Sequence, residues 1–403
     1  MSTVSRPVQR LLQAAGLLLS AGVIAACGGG GSSQPVASAS SLAERATAYA
    51  AGPITGFGSI IVNGVRYDDS AASITDDDGT AHGPERLKLG MMVEVDAKSV
   101  DRAAGAGKAL KVRFGAEITG PAEAAPVADG SLTILGQRIQ VTASTVVDDG
   151  LAGGLAAVTA GTVLEVYGLP DGATGAILAT RIEAKPQATA YRLGGAVNSL
   201  DAAAKTFRLG TLVVDYSQMP AASVPPALAD KVGVRVQLKT QAGVDGRWYA
   251  TAVRVGLSQL EERPVADIRG SVTVFRSTAD FEVNGVRVEA AQASFPDGTA
   301  GLVLGARVEV EGAIANGVLV ATKVELDDRR PEKSRVELHG ALGALDTVAK
   351  TFILRGVTVG FAGVVTWSGG TALDLANGRK VEVKGTLAAD RKSLQASEIQ
   401  FEK

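Results

Sequence analysis

Phe281-Glu-Val-Asn-Gly-Val-Arg-Val288 is the stretch whose reading decides the fold. Apolar residues alternate with polar ones on both sides of Asn284-Gly285, and a period of two puts one face of a strand on a core and the other in water. Asn-Gly is the pair that most readily takes the positive φ values of a two-residue hairpin turn. The stretch therefore predicts two antiparallel strands joined by a tight corner. Ile60-Ile-Val-Asn-Gly-Val-Arg-Tyr67 is a close copy. Leu132-Thr-Ile-Leu-Gly-Gln-Arg-Ile139, Phe207-Arg-Leu-Gly-Thr-Leu-Val213 and Phe352-Ile-Leu-Arg-Gly-Val-Thr-Val359 are looser ones.

Other landmarks recur with the hairpin. An entry glycine (Gly120, Gly194, Gly270, Gly340) precedes the corner glycine (Gly136, Gly210, Gly285, Gly356) at a nearly constant spacing. Further on, Gly90, Gly161, Gly233, Gly305 and Gly378 each open an alternating strand such as Val93-Glu-Val95 or Val308-Glu-Val310. A closing strand follows, as in Ala109-Leu-Lys-Val112 and Ala321-Thr-Lys-Val324. The pattern predicts an all-β chain of five tandem modules, about five strands each. Closing such a small sheet into an OB-like or similar β-barrel removes its open edges, and two packed sheets per module is the alternative. The expected modules are residues 53–115, 116–186, 187–258, 264–328 and 333–403, strung as an elongated array. The boundaries are Pro186 and the charged linkers Gln259–Pro264 and Asp327–Lys333. The first module lacks a visible entry strand, because Gly56-Phe-Gly-Ser59 precedes its hairpin directly.

Residues 1–26 read as a secretion signal, with Arg6 and Arg10 ahead of an apolar run from Leu11 to Ala26. Ile24-Ala-Ala-Cys27 resembles the lipobox of bacterial lipoproteins. The resemblance implies cleavage before Cys27, lipidation of its thiol and amine, and anchorage to a membrane by acyl chains. Gly28, where an Asp favours inner-membrane retention, implies the outer membrane, facing the periplasm or the cell surface. Residues 27–52 read as a flexible tether, with a short helix over Leu42–Ala50. The later pattern, from Ile54-Thr-Gly-Phe-Gly-Ser-Ile-Ile-Val-Asn-Gly-Val65 to Leu89-Gly-Met-Met-Val-Glu-Val95, resembles the bacterial domain-of-unknown-function family 5666. The resemblance covers most of residues 53–403. Module three departs from it at Gly233-Val-Arg-Val-Gln-Leu238. The family brings a β-domain of the envelope and no catalytic residues.

Composition narrows the function. Forty Lys and Arg face 42 Asp and Glu, for a net charge of −2, and removing the signal leaves 38 against 42. No basic field exists to attract nucleic acid. Cys27 is the sole cysteine, and His82 and His339 fall in different modules, so neither a disulfide nor a cysteine or histidine metal centre is expected. Asp76-Asp77-Asp78-Gly79 lacks the alternating acids of a calcium loop and reads as a solvated turn. His82 and His339 read as surface or strand-edge residues. Glu94, Glu165, Glu309 and Glu382 recur between valines and read as solvent-facing. Trp248, Tyr249 and Trp367 are the candidate ligand-stacking residues, with core filling as the plainer role. No nucleophile, base and acid set is visible, and no cofactor is implied. These features predict a non-catalytic binding or structural lipoprotein of the envelope. The alternative is a polysaccharide-associated accessory protein that recognises glycan through exposed aromatics. A hydrolase ranks below both.

Overall fold

The hairpin at Asn284-Gly285 forms as its alternation demands. Phe281 faces Val288 and Val283 faces Val286 across the ribbon. Asn284 and Gly285 hold φ values of 49° and 79°. The computed structural model describes residues 46–101, 103–171, 173–255, 260–327 and 336–402. The signal, Cys27 and the tether as far as residue 45 lie outside the described residues, as do residue 259 and residues 328–333 of the charged linkers.

The first barrel contains β1 (Ala48–Phe57), β2 (Ile60–Val62), β3 (Val65–Asp68), the short β4 (Ser73–Asp76) and β5 (Ala81–His82), β6 (Met92–Asp101) and β7 (Ala106–Phe114). Its wall runs β1–β2–β3–β7–β6 and back to β1, antiparallel except at β3–β7. The second holds β8 (Ile118–Pro121), β9 (Leu132–Ile134), β10 (Gln137–Gln140), β11 (Val146–Val147), β12 (Val163–Pro170) and β13 (Ile177–Ala184). The third holds β14 (Tyr191–Asp201), β15 (Thr206–Leu209), β16 (Leu212–Asp215), β17 (Gly233–Leu238) and β18 (Trp248–Val255). The fourth holds β19 (Arg263–Ser277), β20 (Asp280–Val283), β21 (Val286–Glu289), β22 (Arg307–Ala315) and β23 (Val318–Leu326). The fifth holds β24 (Val336–Ala341), β25 (Gly343–Asp346), β26 (Thr351–Leu354), β27 (Val357–Gly360), β28 (Thr366–Ser368), β29 (Lys380–Leu387) and β30 (Leu394–Phe401). Each closes in the same order, with one parallel contact between the hairpin's second strand and the closing strand.

The spacing of entry and corner glycines has a physical cause. The residue before the corner glycine lies across a glycine of the entry strand. Asn284 covers Gly270, Leu135 covers Gly120, and Arg355 approaches Gly340. Asn284 accepts a hydrogen bond from the Ser271 amide (3.0 Å) and donates to the Arg269 carbonyl (3.3 Å), the two backbone groups flanking Gly270. Arg355 donates to the His339 carbonyl beside Gly340 (3.0 Å). In the third barrel the partner of Leu209 is Gly195, one residue beyond the expected Gly194.

Four expectations are corrected. The first barrel does have a long entry strand, β1, in which Gly52 lies under Asn63. Gly52 stands closer along the chain to its corner, Gly64, than the entry glycines of the other copies do to theirs, which hid the pair. Ala48–Gly52 is therefore strand, not tether, and Ala48–Ala50 is not helix. Likewise Arg263 and Pro264 belong to β19 rather than to a linker.

The barrels are not strung as an elongated array either. An entry strand pairs with different neighbours along its two halves, which leaves edge groups free. Those edges pair between barrels. β1 runs parallel to β19, with Ala48–Ala51 opposite Val265–Ile268, and then parallel to β24 through Gly56 and Phe57. β8 pairs with β14 across barrels too, in the antiparallel sense. Barrels 2 and 3 share one apolar core, while Tyr49 of the first barrel enters the core of the fourth and Tyr167 of the second enters that of the first.

Phe281 is fully buried in the fourth barrel. Phe281→Ala should lower the stability of that barrel by about 3–5 kcal/mol, the range for deleting a buried aromatic ring. Denaturant unfolding of the variant measures it.

Candidate functional site

The polar chemistry of the chain gathers where barrels meet. The outward position of the fourth wall strand, read from sequence as solvent-facing, is an ion-pair position in every barrel. Glu94 pairs with Arg113 and Glu309 with Arg269. Glu165, 4% exposed, receives Arg86 of the first barrel (3.2 Å) and Lys185 (2.8 Å). Glu382 meets Lys384 at 2.8 Å. In the third barrel the same position carries Arg235, which pairs with Asp77 of the first barrel at 3.2 Å. The four glutamates are thus corrected from solubility residues to paired ones.

The Asp76–Asp78 turn is corrected in the same way. The Asp76 carboxylate accepts the amides of Asp78 (3.0 Å) and Thr80 (2.9 Å), and its other oxygen meets His82 Nε2 at 2.9 Å. Asp78 pairs with Arg192 and accepts from Gln237 (2.8 Å), while Arg254 donates to the Asp77 carbonyl (3.1 Å). The acids clasp barrel 1 to barrel 3. A sequence signal for this existed. Where modules one, four and five read Val-Glu-Val and module two reads Leu-Glu-Val, module three reads Val234-Arg-Val236. That reversal of sign marks a face that meets acids.

His339 is corrected from surface to interior, at 7% exposed. Gly58 of the first barrel packs on its ring. Its Nε2 lies 2.6 Å from Glu337 and its Nδ1 3.0 Å from Glu402, and Glu382 stands 3.9 Å from Nδ1. Glu337, His339 and Glu382 place ligand atoms within 4.8 Å of one another, the spacing a metal ion needs. The guanidinium of Arg66, 2.6 Å from Glu337 and 2.7 Å from His339 Nε2, occupies the place of such a cation. The group therefore acts as an ion-pair clasp between barrels 1 and 5.

Two clefts open at the junctions. One of about 790 Å³ lies among barrels 1, 2, 4 and 5, and its arginines Arg66, Arg269 and Arg307 are each paired with a carboxylate. The other, about 240 Å³, lies where barrels 2, 3 and 4 meet. Three hairpin corners converge on it. Thr211 Oγ1 donates to the Gly136 carbonyl (2.9 Å) and Gln137 Nε2 to the Leu209 carbonyl (2.8 Å), locking two corners together. Asn284-Gly285 forms the facing wall. Glu117 and Arg235, 3.6 Å apart, line this cleft and two smaller hollows beside it. Burial lifts the Glu117 carboxyl above the ordinary range, against the opposing pull of Arg235 and helped by the charges of Asp77 and Glu94.

The three aromatic candidates are neither together nor in these clefts. Trp248 is half-buried against Tyr191, ring centres 5.6 Å apart, and Tyr249 lies under Lys239. Trp367 is held between Phe361 and Phe401, each 6.3 Å away. Trp248 packs against the core shared by barrels 2 and 3, and Trp367 against that of barrel 5.

A family model described as "Domain of unknown function (DUF5666)" matches residues 51–112, 119–183, 269–325 and 339–400. The third barrel is not matched, in keeping with its altered charges. No curated protein matches the chain. A solved structure titled "drosophila Unr CSD456" aligns over 54% of this chain and 98% of its own at 12% identity, with a TM-score of 0.14, a likeness too slight to argue from.

Burial and the neighbouring charge of Arg66 oppose a charge on His339, but hydrogen bonds to Glu337 and Glu402, with the charge of Glu382, outweigh them and hold its pKa above the ordinary value. A raised pKa in the folded state stabilises the fold fully below the unfolded value, about 6.5, and the contribution is lost as pH rises through the folded value. The melting temperature of the protein should therefore fall across that window more steeply than that of His339→Gln. Circular dichroism melts over a pH series measure the difference.

Proposed function

The chain belongs to the DUF5666 family, and from that premise we propose that it is a non-catalytic binding and scaffolding lipoprotein of the cell envelope. The observation that carries the proposal is the way the charged residues are used. Arg86, Asp77, Asp78 and Arg66 each join the first barrel to a different neighbour or reinforce such a joint. Asn63 adds the fourth contact, donating to Asp267 at 3.1 Å. Barrel 1 is thus a hub, and the five barrels form one compact unit whose clefts are walled by strands and hairpin corners. Sites on rigid elements hold a ligand with little ordering penalty.

Anchorage is proposed from Ile24-Ala-Ala-Cys27. Acyl chains contribute about 0.8 kcal/mol per buried methylene, so two or more anchor stably, and the outer membrane is the proposed location. The partners proposed are the membrane, through Cys27, and an envelope glycan or protein, but not nucleic acid.

Labelled palmitate fed to cells should enter the protein and co-sediment with the outer membrane. Cys27→Ala should carry no label and appear in the soluble fraction. Label retained by Cys27→Ala, or an unlabelled soluble protein with Cys27 intact, would contradict the anchor.

A further inference from the structure

The cleft at the junction of barrels 2, 3 and 4 has an apolar floor and a polar rim. Ile177, Leu209 and Val234 are buried beneath it, and Gly195, Ala196 and Gly233 present exposed backbone without bulky side chains. A Cβ built on Gly233 meets nothing within 4 Å, so this wall faces open space. The cleft is smaller than the sites that take drug-sized ligands, which suits one ring rather than an extended chain.

The rim holds groups with unused hydrogen-bonding capacity. Lys231 is exposed, and its ammonium makes no hydrogen bond or ion pair among the described residues. Asn198 accepts the Gly210 amide through Oδ1 at 2.5 Å and leaves its side-chain nitrogen available. The Glu117 carboxyl accepts no hydrogen bond among the described residues, lies 3.6 Å from Arg235 and packs over Gly194. The carboxylates Glu117, Asp171 and Glu282 outnumber Lys231 and Arg235 around the cleft, which disfavours an anion. Donors and acceptors around a flat aliphatic floor match a molecule with an apolar face and a hydroxylated edge. A sugar ring has both.

We propose that this cleft binds one sugar ring of a neutral glycan, its C–H face on Gly195-Ala196 and Gly233 and its hydroxyls on Glu117, Asn198 and Lys231. The proposal rests on the reading of the chain as a binding protein, and it moves recognition away from Trp248, Tyr249 and Trp367.

The test uses the secreted chain carrying Cys27→Ala, so that sugar binding is read independently of lipid anchorage. The protein is applied to an array of neutral and acidic glycans with a tetraglycine control. Retention on neutral glycans is expected. Gly233→Phe, which fills the open space without a backbone conflict, should reduce retention at least tenfold with an unchanged melting temperature. Ala196→Trp, at an exposed position of the same wall, is the second blocking variant should the first fail to fold. Glu117→Gln should weaken retention while keeping the cleft's shape. Absence of retention on every neutral glycan, equal retention by both blocking variants, or binding confined to acidic glycans or to tetraglycine would overturn the proposal. Failure of the palmitate experiment with retention intact would remove the anchor and leave the cleft.

Discussion

Each barrel depends on one contact, the crossing of a hairpin corner over a bare glycine of the entry strand. The crossing brings the second and third strands back over the first, so that the third reaches the closing strand and the wall shuts. Asn284 makes the point most fully, because its amide takes both backbone groups that flank Gly270. A side chain on Gly270 would occupy the place of that amide. Elsewhere Leu135 fills the same position by packing and Arg355 by a single hydrogen bond. The requirement is a side chain lying over a glycine, and the polar version is one way to meet it.

Closure of the individual barrels then decides how they assemble. An entry strand that changes partners halfway leaves edge groups exposed, and an exposed edge invites another strand. The chain answers this with its own copies, β1 against β19 and β24, and β8 against β14. Once strand edges set the barrels side by side, their outward polar positions face one another. Paired charges there do not leave an isolated buried ion, the arrangement that burial penalises most. Fold, hub and clefts thus follow from the same local geometry.

The hairpins, the closing strands and the barrel class were legible because alternation and Asn-Gly corners are local signals. The entry strand of the first barrel was missed because its glycine lies closer to the corner than in the other copies. Assembly was less legible, since strand pairing between copies leaves no local trace in the sequence. Glu165 and His339 sit in the same alternating pattern whether they face water or another barrel. The reversal from glutamate to Arg235 was the one visible clue, and it became readable only when set against the other four copies. The aromatic residues drew attention by their rarity, yet the cleft is walled by glycine and alanine, which no motif singles out.

The crossing contact can be tested by adding one methyl group at two glycines. Gly233 has open space beside it, so Gly233→Ala should stabilise the chain by about 0.4–1 kcal/mol through the unfolded state. Gly270→Ala should instead destabilise it by about 1–3 kcal/mol, because the methyl displaces the Asn284 amide. Denaturant unfolding of the two variants beside the parent chain measures both. Opposite signs are the predicted result, and a Gly270→Ala variant as stable as the parent would contradict the account.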